Sequence, residues 1–172
     1  VFSGALHHMD EGLHEGEIVN VISAGGEYIG RGHFQIGSIA VRILTFDDEM
    51  IDDDFWYNRL KIALDVRIAI GIADNPQNNT YRLVHGEGDN LPGLVIDCYG
   101  KTAVVQAHSV GMHEYRMEIS RQLVRVMEHR IENVYYKSET TLPYKAELGQ
   151  ENGFIYGDTD ENVALENGLK FH

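Results

Sequence analysis

Any fold for this chain must accommodate the stretch from Tyr81 to Gly100. Two apolar runs within it, Leu83-Val84 and Leu94-Val95-Ile96, read as strands. Between them lies Gly86-Glu87-Gly88-Asp89-Asn90-Leu91-Pro92-Gly93, a polar turn stiffened by Pro92 and freed by three glycines. A loop that only reverses the chain needs about two to five residues. This one is longer, and Arg82, His85, Glu87, Asp89 and Asp97 lie on it or beside it. Packing alone does not ask for so many charges around one turn.

The rest of the chain divides around this hairpin. Residues 1 to about 50 read as short strands: Glu17 to Ile22, a turn at Ala24-Gly25-Gly26, then Glu27 to Gly32 as a hairpin partner. Ser38 to Thr45 alternates, with Ile39, Val41 and Ile43 on one face and Leu44 on the other with Ser38, Ala40 and Arg42. Short strands and glycine turns with little helix predict a small barrel. Asp52, Asp53 or Asp54 can cap a helix from about Phe55 to Ile70, where acidic side chains suit the positive helix end. One stripe of that helix holds Trp56, Leu60, Ala63 and Leu64; a second holds Ile62, Val66, Ala69 and Ile70. Two apolar stripes predict burial on two sides, between two domains. The polar segment from Ala73 to Asn79, with Pro76, is the expected boundary. After the hairpin come a strand over Thr102–His108, a helix from Gly111 to about His129, and a strand over Asn133–Lys137. Shorter strands follow at Gly153–Gly157, Asn162–Leu165 and from Leu169. On the helix, Met112, Tyr115, Ile119, Leu123 and Met127 sit at core spacing.

Totals narrow the function. A chain of 172 residues can hold one domain or two small ones. The net charge of −13 argues against a broad nucleic-acid-binding field, so any RNA contact must be local. The single cysteine, Cys98, forms no internal disulfide and fits a reducing cytoplasm. No apolar run approaches the roughly 20 residues of a membrane span. The nine histidines include His7, His8 and His14, and His108 with His113, but none stands at a closed zinc spacing, so no metal is expected.

The hairpin stretch resembles a signature of the S-adenosylmethionine-dependent methyltransferases that methylate cytosine in large-subunit ribosomal RNA. The matching residues are Tyr81-Arg82-Leu83-Val84-His85-Gly86-Glu87, Asp89, Leu91-Pro92-Gly93-Leu94, Asp97 and Tyr99-Gly100. Val1-Phe2-Ser3-Gly4-Ala5 resembles the family's opening, and Ile39-Ala40-Val41-Arg42 resembles a strand of its RNA-binding PUA domain. Glu166-Asn167-Gly168-Leu169-Lys170-Phe171 is similar to the lead-in to its catalytic domain. The resemblance implies an α+β chain: a PUA-like small β-barrel, residues 1–72 with a linking helix, then a small β-β-α-β-β domain over 78–172. It implies ribosomal RNA as partner and a cytoplasmic setting. The intact protein is then expected to use S-adenosylmethionine, through a Rossmann-like domain that would lie beyond Phe171 and contact this part. A homodimer stays open.

The residues themselves give no catalytic site. Methyl transfer needs a glycine-bearing loop between a strand and a helix, whereas the Gly86–Gly93 loop leads to a strand. Cys98, the only thiol, stands on a Val-Ile strand without an activating base and reads as structural. No cofactor is therefore expected here, and the chain alone is expected to be inactive. RNA contacts are expected from Arg31, His33 and Phe34 on the glycine-flanked run Gly30–Phe34, and from Arg42. Arg82, His85, Glu87 and Asp89 are expected to line a wall near the active cleft or to brace the catalytic domain against the central one, or else to form a self-contained network that fixes the hairpin. Two rivals remain at this stage: a free-standing PUA-type RNA-binding or adaptor module, and a small hydrolase using Glu87 with Asp89 or Asp97.

Overall fold

The computed structural model describes residues 1–142, 148, 152–159 and 162–171. The first sheet has three antiparallel strands in the order β1-β2-β3: β1 is Ile18–Ile22, β2 is Tyr28–Phe34 and β3 is Val41–Thr45. Gly32 shows why β2 needs glycines, because a Cβ there would collide with the carbonyl of Arg42 on β3. The pairing of β2 with β3 slips at this point: Arg31 faces Thr45 and Gly32 faces Ile43, leaving Leu44 as an extra residue. The slip overrides the simple alternation read from sequence. Leu44 is 3% exposed and joins the main core, whereas Ile43 is only half-buried.

Helix α1, Asp53–Ala69, starts where Asp52 accepts from the amides of Asp54 and Phe55, at 3.1 and 3.0 Å. It closes at Ile70, followed by Gly71 with φ of 73°. Phe55, Trp56, Leu60, Ala63 and Leu64 are buried, as expected of the first stripe. The second stripe differs from expectation: Ile62, Val66 and Ile70 are 57%, 45% and 62% exposed. No described residue covers that face.

The second sheet has five strands in the order β4-β5-β6-β7-β8: Thr80–His85, Leu94–Tyr99, Thr102–Ala107, Asn133–Tyr136 and Gly153–Tyr156. All pairs are antiparallel except β6–β7. A parallel pair needs a crossover, supplied here by α2 (Val110–Glu114) and α3 (Arg116–Met127). The sequence predicts one helix over this span; the backbone breaks it at Tyr115, where φ and ψ are −88° and 9°. Arg116 donates to the carbonyl of His113 at 2.9 Å and so satisfies the end of α2. Met112, Ile119, Leu123 and Met127 are core residues, as their spacing requires. A small hairpin of β9 (Ala164–Glu166) and β10 (Leu169–Phe171) returns to the strand β4 end, where Leu165 accepts from the amide of Asn79 at 3.0 Å.

The architecture is α+β. One cluster of buried residues runs from Leu44 and α1 through β4, β5 and β6 to α3. No helix among the described residues is long and apolar enough to cross a membrane.

Candidate functional site

The charged hairpin forms one wall of a cleft. Gly86–Asp89 makes a single 3-10 turn, closed by Asn90 at φ of 57°. Gly93, at φ of 86°, lies so near Ser109 that a Cβ would stand 2.8 Å from its Oγ. This turn aims Asp89 inward. Its carboxylate accepts two bonds from the Arg67 guanidinium, at 2.5 and 2.8 Å, and one from the His85 amide at 2.6 Å. Burial pushes the Asp89 carboxyl up, but Arg67 and the His85 amide outweigh it and hold it below the ordinary range. Arg67 also donates to the carbonyl of Arg82 at 3.1 Å, tying α1 to β4. Arg82 faces Asp97 across the β4–β5 ladder and donates two bonds to it, at 2.8 and 3.0 Å. Those bonds hold the Arg82 guanidinium above its usual value.

The cleft beside this network has a volume of about 770 Å³. Arg82, His85 and Asp89 line it from the hairpin side, Val66, Arg67 and Ile70 from α1 and its end, and Glu166 and Asn167 from the last hairpin. Three of the four expected hairpin residues therefore share one wall. Glu87 does not: it turns outward and accepts from Arg42 of β3 at 3.1 Å. Arg67 was not among the residues singled out from sequence. Its signal was a basic side chain in the last turn of a helix, which says nothing of a partner 22 positions away.

The expected RNA-contacting residues fare differently. His33 and Phe34 are 1% and 7% exposed; the His33 ring packs against Trp56 and Tyr115, while Phe34 lines the second cavity described below. Arg31 donates to Asn20 at 2.8 Å, to Asp48 at 3.1 Å and to the carbonyl of Glu49, and its side chain is 14% exposed. Arg42 donates to Gln35 at 2.8 Å as well as to Glu87, and is 21% exposed. A second cavity, of about 420 Å³, opens at this end between His7, His8, Met9, Gln35 and Gly37.

The one thiol, Cys98, lines neither cleft. Cys98 is 1% exposed, and burial pushes its thiol up to about 12. No group of three or more metal-ligating side chains occurs among the described residues. The crossover from β6 to β7 does not fit a nucleotide cofactor either. It opens on Ser109-Val110-Gly111, and the space at Gly111 is filled by the His33 ring.

Residues 1–46 match the family model of a PUA-like domain. Ribosomal RNA large subunit methyltransferase I of Alteromonas mediterranea is 33% identical over 172 residues, covering 98% of this chain and 42% of that protein. The protein of the same name from Shewanella frigidimarina is 35% identical over 178 residues, covering 99% and 43%. Among solved structures, one from Streptococcus mutans described as a candidate SAM-dependent methyltransferase superposes with a TM-score of 0.76 at 19% identity, covering 94% of this chain and 40% of that one. A second methyltransferase-type structure, complexed with SAH, gives 0.74 at 17% identity. These two likenesses speak to the fold. The chain is thus an α+β relative of the large-subunit ribosomal RNA methyltransferases, PUA-like at its start, and it spans about 42% of the length of the relatives it matches.

Proposed function

We propose that this chain is the RNA-recognition and central portion of an S-adenosylmethionine-dependent, methylcytosine-forming ribosomal RNA methyltransferase, without catalytic activity of its own. The observation that carries the reading is the relationship over 98% of the chain to proteins of that name, together with the PUA-like match over residues 1–46. In this reading residues 1–72 hold RNA, residues 78–172 form the central domain, and the protein works in the cytoplasm. The buried thiol, the unsuited crossover and the ion-paired cleft support assigning the chemistry to a part of the relatives outside the matched stretch.

Arg31 and Arg42 reach phosphates by exchanging partners. Their present carboxylates, Asp48 and Glu87, are 77% and 71% exposed, and such pairs contribute only about 0–1 kcal/mol. RNA phosphates can therefore replace them at little cost. Arg82, His85 and Asp89, with the exposed Val66 and Ile70, form the wall that a catalytic domain covers; apolar side chains on the rim of a charged cleft suit a domain interface.

Equilibrium dialysis against labelled S-adenosylmethionine tests the assignment of the chemistry. No retention at millimolar cofactor is the expected result. Saturable binding in the micromolar range would mean that this chain holds its own cofactor site, and the reading would fall.

A further inference from the structure

One imidazole packs the β1–β3 sheet against α1 and α2. His33 on β2 is 1% exposed, and neither of its ring nitrogens has a hydrogen-bond partner among the described residues. Its ring stacks against Trp56 of α1, at 6.3 Å between centroids, and against Tyr115 at the α2–α3 break, at 5.3 Å. Trp56 and Tyr115 also meet each other, at 5.5 Å. On a further side Gly111 of α2 sits so close that a Cβ there would run into the His33 ring. Strand β2, helix α1 and helices α2 and α3 thus converge on one side chain. The Trp56 indole nitrogen, like those of His33, is buried without a partner.

Such a site suits a neutral ring. Protonation would place a positive charge and two donors where no acceptor waits. Tyr115 aside, the charged groups on the surrounding elements lie against or pair with residues other than His33. On β2, Arg31 holds Asp48, and on β3, Arg42 holds Glu87. On α1, Asp52 caps the helix, Asp53 pairs with Arg121, and Arg59 pairs with Glu49. On α2, His113 bonds the Tyr136 hydroxyl at 2.7 Å, while Glu114 lies against Gly16. On α3, Arg116 donates to the His113 carbonyl and Glu118 pairs with Arg121. On the β1 side, Glu17 accepts from the His14 amide. None hydrogen-bonds His33.

We propose that His33 is an acid-sensitive latch: neutral, it clamps the β1–β3 sheet onto α1 and α2; protonated, it leaves, and that sheet separates while the five-stranded sheet stays folded. Burial holds the imidazole down at about 4, against an ordinary 6.5. The closed state therefore binds the proton more weakly than the open one. Closure is complete above about pH 6.5 and weakens about tenfold per pH unit as the pH falls toward 4, about 300-fold in all.

Trp56 is the only tryptophan and lies on the latch, so its fluorescence reads the joint directly. The experiment follows that emission from pH 7 to pH 4 in the wild-type chain, His33→Phe and His113→Phe. Burial also lowers His113 to about 4, but His113 belongs to the other side, so its variant controls for acid sensitivity in general. The expected result is a wild-type transition that His33→Phe loses and His113→Phe keeps. An unchanged transition in His33→Phe overturns the proposal. Hydrogen-exchange protection in the wild-type chain gives a second reading that does not depend on the variant folding. Protection on β2 must fall before that on β5 and β6; loss of all three together at the same pH overturns the latch.

Discussion

Replacing Asp89 with alanine removes the carboxylate that ties the hairpin to α1. Three hydrogen bonds disappear, two of them from a guanidinium. The side chains of Asp89 and Arg67 are 10% and 12% exposed, so the change leaves Arg67 with an unpaired and largely buried charge. Breaking a fully buried pair costs about 3–5 kcal/mol. Here the open cleft lets water reach Arg67, which also keeps its bond to the Arg82 carbonyl. A cost of about 2–3 kcal/mol follows. For a chain of this size that lowers the melting temperature by about 4–12 °C. Glu87→Ala provides the contrast, because Glu87 is 71% exposed and its bridge to Arg42 contributes below about 1 kcal/mol. Urea denaturation and thermal melts by circular dichroism measure both. The Asp89 carboxyl lies below its ordinary value when folded. Its contribution is therefore present above the ordinary carboxyl range, about pH 4, and is lost as the pH falls through the lowered value. The gap between wild type and Asp89→Ala must narrow in strong acid. If Asp89→Ala costs no more than Glu87→Ala at pH 7, the network does not hold the hairpin to α1 and the reasoning fails.

Three further outcomes follow from the packing. Gly111→Ala drives a methyl into the His33 ring, which Trp56 and Tyr115 confine; a loss of about 1–3 kcal/mol is expected from the urea midpoint. Asp52→Ala removes the cap of α1 and costs about 1 kcal/mol by the same assay. Cys98 stays unreactive toward a thiol reagent at pH 8 while the chain is folded and reacts once it is unfolded, because burial keeps the thiol protonated; rapid labelling of the native chain would contradict the placement of β5.

Much of this fold is local in origin, and that part was legible. The Gly25-Gly26 turn, the capped start of α1 and the paired runs on either side of the Gly86–Gly93 loop are set by residues a few positions apart. What could not be read depends on distant neighbours. The slip that buries Leu44 is decided by where β2 and β3 meet, not by the alternation of β3 itself. The glycines before His33 suggest an open strand, but Gly30 and Gly32 serve close packing on β3, and the His33 ring is drawn into the joint with α1 and Gly111. Charges were visible at Arg31, Arg42, Glu87 and Asp89; the pairings with Asp48, between Arg42 and Glu87, and with Arg67 were not, since an ion pair leaves no spacing in sequence outside a helix. The second apolar stripe of α1 was correctly seen as apolar, yet it faces solvent in this chain.

Retention of labelled large-subunit ribosomal RNA on a filter by this chain, as salt rises from low concentration, tests RNA recognition most directly. Binding that weakens steadily with salt, and weakens further in an Arg31→Ala, Arg42→Ala double variant with an intact melting profile, is the predicted result. No retention at the lowest salt, or retention that the double variant leaves untouched, would contradict it.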